Sequence, residues 1–260
     1  PPRSTLFPYT TLFRSLFMNA LTFDWEDIDF SKTDQVRKIE HPKLEKSVDP
    51  KKSVIVLAPF SSLQIPNINL LDAMLVRKSR RKFNNEYLTA EELSFLLYCT
   101  QGIKSHTEKY SMRTVPSAGA RHAFETYIFI DRVKDVLPGL YRYLPLEHSL
   151  VLEKAIDDTM RTELNEGLND QLYGAALYFI WTAVPYRMTW RYSFASPKLL
   201  ALDAGHVCQN LYLACEAIQC GTCAIGAYSQ KKMDKFLAVD GKDEFAIYMA
   251  PVGKVDKKAL

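Results

Sequence analysis

Arg77, Lys78, Arg80, Arg81 and Lys82 put five cations into a run of seven residues, with Ser79 among them and Phe83 at its end. In an extended chain successive side chains alternate, so Arg77, Ser79 and Arg81 project on one side with Lys78 close by. Two guanidinium forks and a hydroxyl are the inventory that grips a phosphate dianion, through bidentate charge-assisted hydrogen bonds. The same run could equally be a solvated basic face. A nucleic-acid groove fits less well, because no aromatics interleave the cations and no basic stripe continues elsewhere.

Three further constellations carry some chemistry. Pro116, Ser117, Ala118 and Gly119 form a turn of small residues, whose backbone can approach a flat ligand closely and offer it N–H groups. A plain reversal of the chain explains the same residues. Cys220 and Cys223 stand in C-x-x-C spacing, half of a zinc site or a redox pair. No second such pair occurs, and His106 and His122 are not at ligand spacing, so no metal site is expected. Asp203 and His206 lie one helical turn apart, either as a metal pair or as a polar patch on a packed helix. No G-x-G-x-x-G, phosphate-loop or H-E-x-x-H pattern is present.

The elements that must position these groups are legible from periodicity. Residues 199–218 form the longest helix, apolar at Leu199, Leu202, Val207, Leu211, Ala214 and Ile218, and so buried under a sheet or against a second copy. Pro197 sits near its start, and Cys220 with Gly221 closes it. Thr89 and Glu92 make a capping box for a helix ending at Gly102. Residues 70–75, 157–169 and 186–194 also have helical spacing, and Ser229 caps a last helix. Residues 125–130, 139–143, 149–152 and 244–249 read as strands, with one more from Gly221 to Tyr228. The apolar run 175–184 suits a central strand covered on both faces. Strands and helices mix without βαβ spacing, so the class is α+β.

Length and composition narrow the choice. A chain of 260 residues with 47% hydrophobic and 24% charged residues reads as a globular protein. A net charge of +3 is too small to argue for nucleic acid, and no apolar run is long enough to cross a bilayer. Five cysteines, three of them on or beside the long helix, suit the reduced thiols of a cytoplasm. Residues 1–17 read as foreign sequence, translated from a sequencing adapter, ahead of a chain beginning at Met18. Residues 18–67, punctuated by Pro42, Pro50, Pro59 and Pro66, read as an irregular arm, and residues 68–260 as the main domain.

In order along the chain, the basic run, the turn of residues 116–122 with Glu125 and Tyr127, the segment 139–150 and the segment 202–211 together resemble the FMN-dependent nitroreductase-like proteins. The similarity spans roughly residues 68–254 and is nearest to the SagB-type (thiazoline/oxazoline) dehydrogenases. It implies a nitroreductase-like fold, a mixed sheet flanked by helices with a long central dimerisation helix. It implies a homodimer with two FMN sites at the interface, acting on a small organic substrate, with NAD(P)H an optional donor. Arg77, Lys78, Ser79 and Arg81 then match the FMN phosphate and ribityl contacts. Pro116, Ser117, Ala118 and Gly119 match the turn over the ring, supplied across the interface, and Ala224, Ile225 and Gly226 match the segment at flavin N5. Gln171 matches a further flavin contact, and Lys254 another phosphate ligand.

The flavin carries the hydride in such proteins, and two half-reactions in turn are expected. A Lys-Tyr pair serves the azoline-oxidising members, and Arg191 and Tyr192 stand in its place. An arginine stays protonated and cannot be a general base, whereas Tyr192 can still donate a proton as the catalytic candidate. The alternatives are a non-catalytic FMN-fold subunit of a peptide-modifying complex, and a small zinc or dithiol protein using Cys220 and Cys223.

Overall fold

Side-chain alternation along two central strands decides the architecture. The computed structural model describes residues 21, 22 and 24–256, so the segment read as foreign sequence lies outside the described residues. In chain order the elements are β1 (Val54–Val56), α1 (Leu70–Val76), α2 (Ala90–Gln101), β2 (Ile103–His106), β3 (Ser111–Arg113), β4 (Phe124–Ile130), β5 (Gly139–Leu144) and β6 (Ser149–Ala155). After them come α3 (Met160–Gly167), β7 (Leu177–Ala183), α4 (Tyr186–Tyr192), α5 (Ser196–Ala217), β8 (Cys220–Thr222), α6 (Gln230–Leu237) and β9 (Phe245–Lys254). Seven strands form one sheet in the order β1-β6-β5-β4-β7-β9-β8, and β2 pairs with β3 in a separate hairpin.

Strands β4 and β7 are buried along their whole length. On one face Ile128, Ile130, Phe179 and Trp181 pack with Leu93 and Leu97 of α2 and Leu200, Val207 and Leu211 of α5. On the other, Tyr127, Phe129, Tyr178 and Ile180 pack with Met160 and Leu164 of α3 and Met233 and Phe236 of α6. The two-residue period therefore sorts one strand into two cores, and each large side chain so buried contributes about 1.5–3 kcal/mol by leaving water.

The ladders within the sheet are all antiparallel. The mixed character expected of it survives only as isolated parallel bridges, at Ser79–Thr222 and Leu88–Val133. Short connections between β4, β5 and β6 can only reverse the chain, which dictates antiparallel neighbours. The capping box at Thr89 and Glu92 is formed, and Gly102 ends α2. The long helix begins three residues earlier than its apolar pattern, with Pro197 in its first turn. Beyond Thr222 the expected strand to Tyr228 stops, because the chain leaves the sheet to make other bonds. Strand β1, three apolar residues long, and the short β2–β3 hairpin, mostly polar, carry no periodicity that would reveal them.

The arm before α1 wraps the body. Its carbonyls receive side-chain donors that no regular element satisfies. Lys43 O accepts from Arg187 Nε at 2.9 Å, Leu44 O from Arg113 Nη2 at 3.2 Å, and Lys46 O and Ser47 O from Arg142, each at 3.1 Å. The same guanidiniums of Arg187 and Arg142 pair with Glu125, which is 2% exposed and also accepts the Lys46 N–H at 2.8 Å. Burial alone would raise the Glu125 carboxyl, but Arg187 and Arg142 overcome it and hold it below the ordinary 4.5.

This seam makes a stability prediction. Glu125→Gln leaves two buried cations short of their counter-charge and should cost about 3 kcal/mol, read as a lower urea midpoint. With a depressed folded value, the contribution of Glu125 is complete above pH 4.5 and is lost as pH falls through the folded value. A wild-type midpoint that does not fall on acidification relative to the variant would contradict the assignment.

Candidate active site

The basic run leaves α1 at Arg77 and lies extended beside β8, where Ser79 bridges Thr222 and the Arg80 N–H donates to Thr222 O at 2.9 Å. Alternation turns Arg80 inward, 6% exposed, to meet Glu216 at 3.4 Å. Burial raises the Glu216 carboxyl against the pull of Arg80. The Arg77 guanidinium lies 5.3 Å from the centroid of the Tyr212 ring, and Lys78 and Arg81 are exposed. Among the described residues Arg77, Lys78 and Arg81 make no ion pair. A pocket of about 360 Å³ opens here, lined among others by Lys78, Ser79 and Arg81.

Tyr212, on α5 and 9% exposed, ties this run to the segment after β8. Its hydroxyl accepts the Ala224 N–H at 2.8 Å and lies 2.8 Å from Ser79 Oγ, to which it can donate. That bond is where the expected strand ends, since Ala224 gives its N–H to a side chain instead of a neighbouring strand. Ile225 exchanges both backbone bonds with Met249, and its side chain is in the second core. Only its backbone flank is available to a ligand. Gly226 is exposed, and a Cβ there would come no nearer than 4.0 Å to Tyr248.

Two expected contacts are occupied elsewhere. The Gln171 amide donates to Ala227 O at 2.7 Å and Leu168 O at 2.8 Å, and its oxygen accepts from Tyr173. It therefore shapes the 224–228 segment from behind. The Lys254 ammonium, expected at the phosphate, is bound here by Glu92 and by Ile218 O at 3.0 Å, a clamp between two helix ends. A carboxylate at one helix start and a carbonyl at another helix end outcompete a solvent-facing position.

The turn hangs from the same long helix. Ser117 Oγ donates to Asp203 Oδ2 at 2.5 Å and accepts the His122 N–H at 2.9 Å, while the Ala118 N–H donates to Asp203 Oδ1 at 3.2 Å. Burial raises the Asp203 carboxyl, although these donors oppose it. Gly119 has φ of 55°, and a Cβ on it would fall 2.5 Å from the Tyr192 hydroxyl and 3.1 Å from Arg191 Cδ. Glycine is thus required twice over, and Tyr192 is brought against the turn. From Asp203 to Tyr212 is nine residues, roughly 13 Å along the axis, and at about 100° per residue the two face opposite ways. The turn and the basic run of one chain stand on opposite sides of α5.

His206 Nδ1 is 4.0 Å from Asp203 Oδ1 and its ring is half exposed. Among the described residues no three potential metal ligands cluster. Burial pushes the thiols of Cys208 and Cys220 up to about 12, far from thiolate at neutral pH.

Residues 74–254 match the model of the Nitroreductase family. The chain belongs to the nitroreductase family. A Methanocaldococcus jannaschii protein assigned as a nitroreductase is 31% identical over 197 residues, covering 74% of this chain and 96% of its own. A nitroreductase-family structure from Ralstonia eutropha JMP134 superposes with a TM-score of 0.64 at 23% identity, over 84% of this chain and 99% of that one. A chain of the E. coli microcin synthetase McbBCD complex, bound to truncated pro-MccB17, gives 0.59 at 16% identity over 95% and 92%. At such identities these two structures establish the fold, and the second extends the likeness over most of the arm.

Tyr212 has no motif to mark it in the sequence, and its one signal is a hydroxyl on a buried apolar helix face, which calls for a partner. Tyr212→Phe should speed amide exchange at Ala224 about tenfold, as its acceptor is lost. Unchanged exchange at Ala224 would mean the hydroxyl does not hold the segment.

Proposed function

We propose that the chain is an FMN-dependent oxidoreductase that moves a hydride or electron pair between flavin N5 and a small organic substrate. The observation that carries this reading is the extended run at Arg77, Lys78, Ser79 and Arg81, unpaired by carboxylates and tied through Tyr212 to the Ala224, Ile225 and Gly226 segment. The donor set fits a phosphate dianion: the Arg81 guanidinium, the Lys78 ammonium and the Ser79 hydroxyl line one open pocket, with Arg77 next to them in the chain. Bound FMN would supply the two-electron chemistry.

The residues of the chain have separate tasks. Arg77, Lys78 and Arg81 hold the phosphate, and Ser79 stays oriented by Tyr212. Gly226 lets the backbone approach the edge of the ring without a side chain in the way, with Gln171 supporting that segment through Ala227. Pro116, Ser117, Ala118 and Gly119 form a small-residue wall for a flat ring. Because turn and basic run face opposite ways in one chain, the wall comes from a second copy in a homodimer. Leu70, Leu71 and Leu75 of α1 are 61%, 62% and 75% exposed, and Leu202 of α5 is 52% exposed. Such apolar surface beside the long helix suits a twin.

Tyr192, against Gly119, is placed to hold or give a proton at its hydroxyl. Arg191 cannot abstract one, so the reading favours reduction of an acceptor over the azoline oxidation of the SagB-type branch. NAD(P)H is the proposed donor.

Purified protein should be yellow and bleach with dithionite. Arg77→Ala with Arg81→Ala should weaken FMN binding about 100-fold or more, on the order of 3 kcal/mol for two charged contacts, while near-ultraviolet circular dichroism is retained. A folded double variant that stays fully yellow would remove the phosphate site from this account.

A further inference from the structure

Beyond Gly119 the same turn borders a second, larger cleft of about 860 Å³, with the arm as its opposite wall. Lys38 of the arm, Lys109, Arg121 and Arg191 line it, against one carboxylate, Glu40. None of these four cations makes an ion pair among the described residues. Arg121 is the sharpest case. It is 9% exposed, donates to Gly119 O and Lys109 O at 3.2 Å each, and stacks 5.2 Å from the Trp190 ring centroid. Burial and the nearby Arg191 charge both weaken its hold on its proton. Burying one guanidinium beside another without a counter-ion is unfavourable, and an oxyanion in the cleft would relieve it.

The apolar part of the lining is equally built. Trp190 Nε1 donates to Ile39 O at 3.1 Å and Trp190 O accepts the Gln35 N–H at 2.9 Å, which pins the arm across the opening. Ile39, Tyr110 and Met112 then offer apolar surface facing the cations.

We infer that this cleft is the substrate subsite and that it selects a small molecule with a flat apolar body and an oxyanion, carboxylate or phosphate. Naming the ligand a substrate rests on the oxidoreductase reading; the binding of the anion does not. The oxyanion meets Arg191, Lys109 and Lys38 beside the buried Arg121, and the apolar body rests on Ile39 and Tyr110. The arm thereby contributes to selectivity, outside the part of the chain that the family model matches.

Calorimetric titration of the full chain, with and without FMN, tests this with 2-naphthoate, 2-naphthyl phosphate and uncharged 2-naphthol. Both anions should bind at least about tenfold more tightly than naphthol, and weaken as salt rises from about 50 to about 500 mM. Lys38→Gln with Lys109→Gln, both exposed, should remove most of that preference, and Arg191→Gln should do so independently. Anion binding without any FMN binding would leave the subsite standing and sink the oxidoreductase reading alone. Naphthol binding as tightly as the anions, or a folded double variant with wild-type anion preference, would overturn the subsite.

Discussion

A buried phenol cannot be left without partners, and the hydroxyl of Tyr212 finds two that lie far apart in the chain. It accepts from Ala224 and bonds Ser79, while its ring carries the Arg77 guanidinium. Net, each such bond contributes only about 1 kcal/mol, but leaving one buried group unpaired costs about 1–3 kcal/mol. That asymmetry fixes geometry more firmly than it adds stability. The basic run and the segment after β8 are therefore held in one mutual position before any ligand arrives, which reduces the ordering cost of binding.

Asp203 and Glu216 repeat the device on the same helix. Each is a carboxylate raised by burial and retained by donors, from the turn in one case and from Arg80 in the other. A helix that looks purely structural from its apolar stripe thus carries polar hooks as well, among them Tyr212, Asp203 and Glu216. Tyr212 and Glu216 are four residues apart and share a face, whereas Asp203 points the opposite way. The turn and the basic run are thereby anchored on opposite faces of α5.

Much of this was legible beforehand, for identifiable reasons. The capping box at Thr89, the doubly covered β7 and the apolar course of α5 follow from local pattern, which depends on the residues themselves. Alternation accounts for Arg80 turning inward to Glu216 while Arg81 stays exposed. What could not be read were side-chain commitments across the fold. Lys254 goes to Glu92, Gln171 to the Ala227 carbonyl, and Ile225 into the second core, because neighbours distant in sequence compete for them. The arm is irregular, and its irregularity is what frees its carbonyls for Arg113, Arg142 and Arg187.

The central claim is that Ser79 and Tyr212 act as one unit in positioning a phosphate-bearing cofactor. A double-mutant cycle with Ser79→Ala and Tyr212→Phe, read as the FMN dissociation constant, measures that coupling directly. The account predicts that the double variant loses less than the sum of the two single losses, with a coupling of about 1 kcal/mol or more. Strict additivity of the two losses would contradict it.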